Sequence, residues 1–123
     1  MISGVVNGNL EATVRLLIRG PRGQEQEIDA VIDTGFNGFL TGSPAFVRQL
    51  SLTHLGQSRA LLANGQEELL DLYEVTLLWD GQWRTVETDA ADTDALVGMS
   101  LLYRYSIYLE AVEGGQVVIA ALP

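Results

Sequence analysis

Residues 31–44 read VIDTGFNGFLTGSP, and this stretch places an acid, Asp33, directly after two β-branched residues. Valine and isoleucine favour strands, and Thr34 with Gly35 stands where the chain must turn sharply. Burying an ionised carboxylate costs free energy unless a partner compensates for the lost water. Asp33 at the end of a core strand therefore has two interpretations: it caps an ordinary turn, or it performs chemistry.

The composition is that of one compact domain spanning residues 1–123. Hydrophobic residues make up 47% of the chain, which supplies a core without disulfides or a structural metal. The chain has no cysteine, which excludes a thiol nucleophile, a disulfide framework and a Cys-based zinc site. Since His54 is the single histidine, a multi-histidine metal site within one chain is also excluded. We therefore expect no metal and no cofactor.

The charge balance argues against two classes of partner. The chain has 16 acidic and 7 basic residues and a net charge of −9, whereas phosphate contacts need clustered basic residues. We therefore expect no nucleic acid partner, and an anionic membrane surface is disfavoured for the same reason. The N-terminal stretch MISGVVNGNLEATV has no signal-peptide pattern, and no apolar run approaches the roughly 20 residues of a membrane helix. These features predict a soluble, cytoplasmic protein.

Alternating apolar and polar residues indicate that most of the chain forms strands. Turn-forming pairs such as Asn64-Gly65 separate them and favour hairpins. The predicted strands are Leu10–Ile18, Gln24–Ile32, Leu72–Trp79, Trp83–Thr88, Tyr105–Leu109 and Val117–Ala121, with a shorter apolar run at Ala95–Val97. Many short strands separated by turns predict a closed all-β unit.

Two short helices interrupt this pattern. Ser43 is a good N-cap and Pro44 suits the first helical position, so the following AFVRQL predicts a helix that buries Phe46 and Leu50. Gly98–Tyr103 predicts a further helical turn.

Three separated pieces of the chain resemble the retropepsin-like aspartic proteases. VIDTGFNGFLT is similar to the Asp-Thr-Gly active-site loop of that family, and ALVGMSLL, at residues 95–102, is similar to its later apolar-apolar-Gly element. Between them, LLANGQ stands where the family places its flap hairpin. The phenylalanine after Asp-Thr-Gly resembles a small prokaryotic branch with single-domain chains. The resemblance covers nearly the whole chain.

The resemblance implies an acid protease fold, a closed β-barrel with one or two short helices, that works as a homodimer. Peptide hydrolysis in this family uses two aspartates that share a proton, and this chain has a single Asp-Thr-Gly. Asp33 of each protomer would supply one carboxylate across a two-fold axis. Thr34 would bond across that axis, and Gly35 would let the backbone turn beside the catalytic water.

The resemblance also implies roles for residues outside the acid loop. Phe36 and the hairpin tip, Ala63, Asn64 and Gly65, would bind a peptide or protein substrate. The family's later element, Leu96-Val97-Gly98, would support the loop from beneath. The last two predicted strands, Tyr105–Leu109 and Val117–Ala121, would interdigitate with those of the partner.

An alternative function stays open at this point: a catalytically inactive, dimeric module that binds peptides or proteins. Its basis is Phe36, because a serine at that position can hydrogen-bond the outer oxygen of the acid and phenylalanine cannot. Three further acids, Asp89, Asp92 and Asp94, lack the glycine and distal glutamate of a calcium-binding EF-hand loop, so we expect a solvated acidic loop there.

Overall fold

The computed structural model describes residues 1–61 and 64–123. Within these ranges the fold is all-β, with ten strands and two short helices. In chain order the elements are β1 (Ile2–Val6), β2 (Ala12–Arg19), β3 (Glu25–Ile32), β4 (Leu40–Gly42), α1 (Pro44–Gln49), β5 (Thr53–Leu61), β6 (Glu67–Trp79), β7 (Gln82–Ala90), β8 (Leu96–Val97), α2 (Met99–Leu102), β9 (Tyr105–Leu109) and β10 (Gln116–Ala121).

All of these strands belong to one sheet, in the order β5-β6-β7-β4-β8-β3-β2-β1-β10-β9. Strand β6 also pairs with β2, through Ile18 opposite Leu77 and Arg19 opposite Thr76. Most neighbours are antiparallel, but β3 runs parallel to β8, and β4 runs parallel to β7. These two parallel pairs bring the segment after β3 next to the segment after β8.

The core lies along alternate residues of the long strands. In β2, Val14, Leu16 and Ile18 are at most 2% exposed, while Leu17 is only half-buried, as the alternation predicted. Strand β6 contributes Trp79, whose indole packs edge-on against the ring of Tyr105 with centroids 5.7 Å apart. Alternation with a period of two residues places one face of each strand against this core.

Helix α1 confirms the prediction made from its cap. Ser43 Oγ accepts a hydrogen bond from the Phe46 amide at 3.1 Å, and Pro44 occupies the first turn. Phe46 and Leu50 are buried, so the helix covers the core after β4. None of the helices among residues 1–61 and 64–123 is long and apolar enough to cross a membrane.

Strands β1 and β4 were absent from the sequence prediction, and of β5 only the end next to the Asn64-Gly65 hairpin turn was predicted. Gly4 breaks the apolar alternation of β1, and the reason is a close approach: a Cβ there would lie 2.0 Å from the Thr13 carbonyl oxygen. Strand β4 is buried along its whole length, so it shows no alternation. Strand β6 begins at Glu67, earlier than predicted, because its exposed first half pairs with β5 in a long hairpin.

The last two strands form one end of the sheet. Strand β10 lies between β1 and β9, and β9 is the edge strand. Tyr108 and Leu109 on β9 are 56% and 47% exposed. This edge offers unpaired backbone groups to a further strand. The predicted interdigitation with a partner chain stays a prediction.

Candidate active site

The backbone holds Asp33 between two strands that are distant in sequence. Val31 is opposite Leu96 and Ile32 is opposite Val97 in the parallel pair of β3 with β8. The Asp33 amide then donates to the Val97 carbonyl oxygen at 2.9 Å, which fixes the acid at the end of β3. A half-buried carboxylate is thereby fixed at the end of a core strand, with its loop open to solvent.

The turn after Asp33 orients its carboxylate. Oδ1 of Asp33 accepts a hydrogen bond from the Gly35 amide at 2.9 Å, and the Asp33 carbonyl oxygen accepts one from the Phe36 amide at 3.1 Å. A Cβ on Gly35 would lie 3.2 Å from Oδ1, which is tighter than most real contacts. Glycine therefore lets the amide approach the carboxylate, and Thr34 beside it is exposed. An oriented, accessible carboxylate of this kind can accept a proton from a water.

The ring of Phe36 packs closely against two glycines. A Cβ on Gly38 would lie 2.5 Å from Phe36 Cζ, and a Cβ on Gly98 would lie 2.6 Å from Phe36 Cδ2. The backbone of the loop continues onto α2, because the Met99 amide donates to the Phe36 carbonyl oxygen at 2.8 Å. The predicted supporting element, Leu96-Val97-Gly98, thus lies directly against the acid loop.

An open cavity of ≈ 470 Å³ adjoins this loop. Gly35 and Phe36 contribute to its floor, and residues of β5, β6 and β7 contribute to its walls. On β7, Asp89 accepts a hydrogen bond through Oδ1 from Ser58 Oγ of β5 at 2.8 Å. The prediction that Asp89 belongs to a solvated loop is wrong, because Asp89 lies in β7 and lines this cavity.

The hairpin of β5 and β6 contributes residues to the lining of this cavity. Its strands pair from Thr53 opposite Glu74 to Leu61 opposite Glu67, as the Asn64-Gly65 turn signal predicted. Asn64 Oδ1 accepts a hydrogen bond from the Gln66 amide at 3.0 Å, and Gly65 has a φ of 83°. The predicted tip residue Ala63 lies outside the described residues. Neither Asn64 nor Gly65 lines the cavity beside the acid loop, whereas Ser58, lower on β5, does.

The single histidine, His54, does not line the cavity beside the acid loop. His54 is exposed, with Nε2 3.1 Å from Asp71 Oδ1 and its ring edge-on to Tyr73. Among residues 1–61 and 64–123, no group of three or more histidine, aspartate or glutamate side chains is arranged to hold a metal ion.

A retropepsin-like aspartic protease from Rickettsia conorii superimposes on 99% of this chain and 91% of its own length, with a TM-score of 0.61 and 14% identity. The fold is that of the retropepsin-like aspartic proteases. The foamy viral protease-reverse transcriptase, solved with an RNA/DNA hybrid, matches 76% of this chain with a TM-score of 0.54 and 16% identity. This chain spans only 12% of that viral protein. No protein-family model and no curated protein sequence matches the chain.

The retropepsin-like fold accounts for the spacing of the motifs in this sequence. Asp33 and Gly98 are far apart along the chain, yet parallel strands β3 and β8 carry both to one place. The sequence motifs alone indicated this neighbourhood, but they did not include Ser58 or Asp89. In β7, Val86 and Thr88 are buried. The alternation therefore predicts that Asp89 faces away from the core, but it does not predict which cavity Asp89 lines.

Proposed function

We propose that the chain is a homodimeric aspartic endopeptidase in which Asp33 of each protomer activates one water. The observation that supports this most is the Asp33 carboxylate itself, fixed at the end of β3 and oriented by the Gly35 amide at 2.9 Å. It lies in a retropepsin-like fold, and the next residues of its loop, from Gly35 onward, line an open cavity.

The need for a second copy follows from the chemistry. Peptide hydrolysis requires one group that takes a proton from water and another that donates a proton, and a lone Asp33 cannot do both at once. A two-fold axis beside Asp33 would place Asp33 of the partner subunit opposite it. Thr34 supports such an axis, since it is exposed and its hydroxyl has no hydrogen bond within the part of the chain that the structure describes. The exposed edge of β9 would supply further contacts, and the return pairing of β6 onto β2 supports the closed barrel.

In the proposed reaction, the two aspartates share one proton before the substrate binds. The ionised aspartate takes a proton from the water, whose oxygen forms a bond to the scissile carbonyl carbon. The protonated aspartate gives its proton to the carbonyl oxygen, which yields a neutral tetrahedral diol. As the C–N bond breaks, one aspartate protonates the leaving nitrogen and the other recovers a proton from the diol. The dyad returns to its starting state.

An extended peptide would bind as an added strand beneath the β5–β6 hairpin. Asn64 and Gly65 at the turn of this hairpin would close over the peptide and exclude water. The cavity beside Gly35 and Phe36 would receive one of its side chains.

Digestion of a peptide library by the wild-type protein and Asp33→Asn tests the proposal. We expect the wild type to cleave and Asp33→Asn to lose at least about a thousandfold in kcat/KM, because asparagine cannot take the proton from water. Asp92→Asn removes an equal charge from an exposed position and is the matched control. Binding without cleavage by both the wild type and Asp33→Asn would instead establish the inactive binding module.

A further inference from the structure

The cavity beside the acid loop has a charge pattern that the proposed cleavage chemistry does not use. Its volume of ≈ 470 Å³ accommodates one long side chain, since ligand pockets commonly measure roughly 300–1,000 Å³. Its floor includes Gly35, the residue whose amide orients Asp33. A side chain in this cavity therefore belongs to a residue close to the bond that Asp33 would cleave.

The carboxylate of Asp89 is fixed on the wall of this cavity. Its Oδ1 accepts the Ser58 hydroxyl at 2.8 Å, and its Oδ2 lies 3.5 Å from where a Cβ on Gly38 would stand. Asp89 is half-buried, and its Oδ2 accepts no hydrogen bond from any residue in the ranges 1–61 and 64–123. A carboxylate has about four acceptor sites, so one neutral hydroxyl leaves most of its capacity free for a cation.

The other charged groups of the cavity do not neutralise Asp89. The cation among the lining residues, Arg59, has its Nη1 3.5 Å from Glu67 Oε2 on the neighbouring strand, and both side chains are largely exposed. The second acid of the lining, Glu87, is directly opposite Glu74 of β6. Like charges in that register repel each other, so a cation near them relieves the repulsion.

Apolar groups complete the cavity. Phe36 and Leu72 line it beside the carboxylates, and Leu72 is the register partner of Asp89. Arginine and lysine combine an aliphatic stem with a cationic head, and such side chains bury the stem against apolar surface. The face of an aromatic ring such as Phe36 also attracts a cation. The arrangement of two apolar groups and two carboxylates fits that kind of side chain.

We propose that this cavity is a specificity subsite for an arginine or lysine side chain of the substrate, and that Asp89 selects it. The proposal rests on the proposed peptidase function, because the ligand is a peptide that crosses the acid loop. The net charge of −9 adds a long-range attraction for cationic peptides.

The test uses three matched peptides built on one cleavable sequence found in the library digest. In that sequence we choose the position next to the cleaved bond at which basic residues most increase cleavage in the library. The three peptides carry arginine, citrulline or glutamate at that position. Citrulline has the shape of arginine without its charge, so the ratio of kcat/KM for arginine over citrulline isolates the charge. We expect this ratio to be at least about tenfold in the wild type, as charge-assisted hydrogen bonds allow, with glutamate the poorest.

Asp89→Asn should reduce the arginine-to-citrulline ratio to below about threefold, because asparagine keeps an acceptor for Ser58 but has no charge. Asp92→Asn, which removes an equal charge two residues beyond β7 and outside the cavity lining, should keep the wild-type ratio. A wild-type ratio near one at every position flanking the cut overturns the proposal whether or not Asp89→Asn folds. An equal fall in both variants also overturns it, since net charge alone would then explain the preference.

A binding measurement separates failure of the subsite from failure of the peptidase. Calorimetry with statine-containing peptides of fixed sequence, which carry arginine or citrulline at each position flanking the statine in turn, needs neither cleavage nor a known cleavage site. An arginine preference that depends on Asp89 but occurs without hydrolysis supports the subsite and rejects the peptidase. Hydrolysis without that preference rejects the subsite alone, and a protein that neither cleaves nor binds the peptides rejects both.

Discussion

At the scale of single residues, Gly38 and Gly98 determine how closely the acid loop can pack on α2. A Cβ on Gly98 would lie 2.2 Å from the Gly38 carbonyl oxygen, which is part of the rigid loop. A Cβ on Gly38 would instead lie 2.5 Å from Phe36 Cζ. The Phe36 side chain can rotate away, or a smaller residue can replace it. Position 38 should therefore tolerate a methyl group better than position 98.

We predict that Gly98→Ala lowers the free energy of unfolding by about 2–3 kcal/mol, within the range for overpacking, and that Gly38→Ala lowers it less. Adding Phe36→Leu should recover part of the loss in Gly38→Ala but none in Gly98→Ala, because the backbone oxygen remains in place. Urea unfolding of the four variants measures these values. Equal costs and equal rescue for the two glycines would contradict the packing described here.

The acid at position 33 was predictable because its motif is local: two β-branched residues, an acid, a hydroxyl and a glycine in succession. Asp89 was not, since its position in the cavity depends on the pairing of β7 with both β4 and β6. No short-range pattern encodes which strand lies next to β7. Phe36 was an intermediate case, because the sequence marked it as unusual but not as the partner of Gly38 and Gly98.

At the scale of elements, β8 depends on one buried side chain. Thr41 Oγ1 of β4 accepts a hydrogen bond from the Leu96 amide at 2.9 Å and donates to the Asp94 carbonyl oxygen at 3.3 Å. Strand β8 has only two residues, so this hydroxyl is a large part of what holds it beside β4. Thr41 therefore acts on the acid loop through β8.

We expect Thr41→Val to destabilise the protein by about 1–3 kcal/mol, because the part-buried Leu96 amide loses its acceptor. The Leu96 backbone amide should also exchange its hydrogen faster in Thr41→Val than in the wild type. Thr76→Val is the matched control: its hydroxyl lies 3.0 Å from Thr85 Oγ1 at an exposed position, and its effect should stay within about 0.5 kcal/mol. Unchanged exchange at Leu96 in Thr41→Val would show that β8 is held by other contacts.

Elements with a clear periodicity or cap were predictable, and those defined by their neighbours were not. Helix α1 followed from Ser43 and Pro44, and β9 matched its predicted bounds at Tyr105–Leu109. Strand β4 was missed because it has only three residues and all are buried, including the polar Thr41, so burial does not alternate along it.

At the scale of the whole molecule, the proposed two-fold dimer makes activity depend on pairs of chains. When wild-type and Asp33→Asn chains exchange at equal concentrations, about a quarter of the dimers contain two intact acids under random pairing. We predict that total activity falls toward half of its starting value, because intact dimers drop from half of all dimers to a quarter and mixed dimers lack one carboxylate. Activity measured after exchange tests this, with Asp92→Asn chains as the control. A monomer would keep its activity unchanged on mixing with Asp33→Asn.

The parallel pairing of β3 with β8 also sets when the acid loop can form. Val31 and Ile32 find their partners only at Leu96 and Val97, and contacts so distant in sequence form slowly. A nascent chain on the ribosome that has not yet reached Gly98 holds Asp33 on an unsupported segment. Under the proposed function, hydrolysis would therefore begin only after most of the polypeptide has been made.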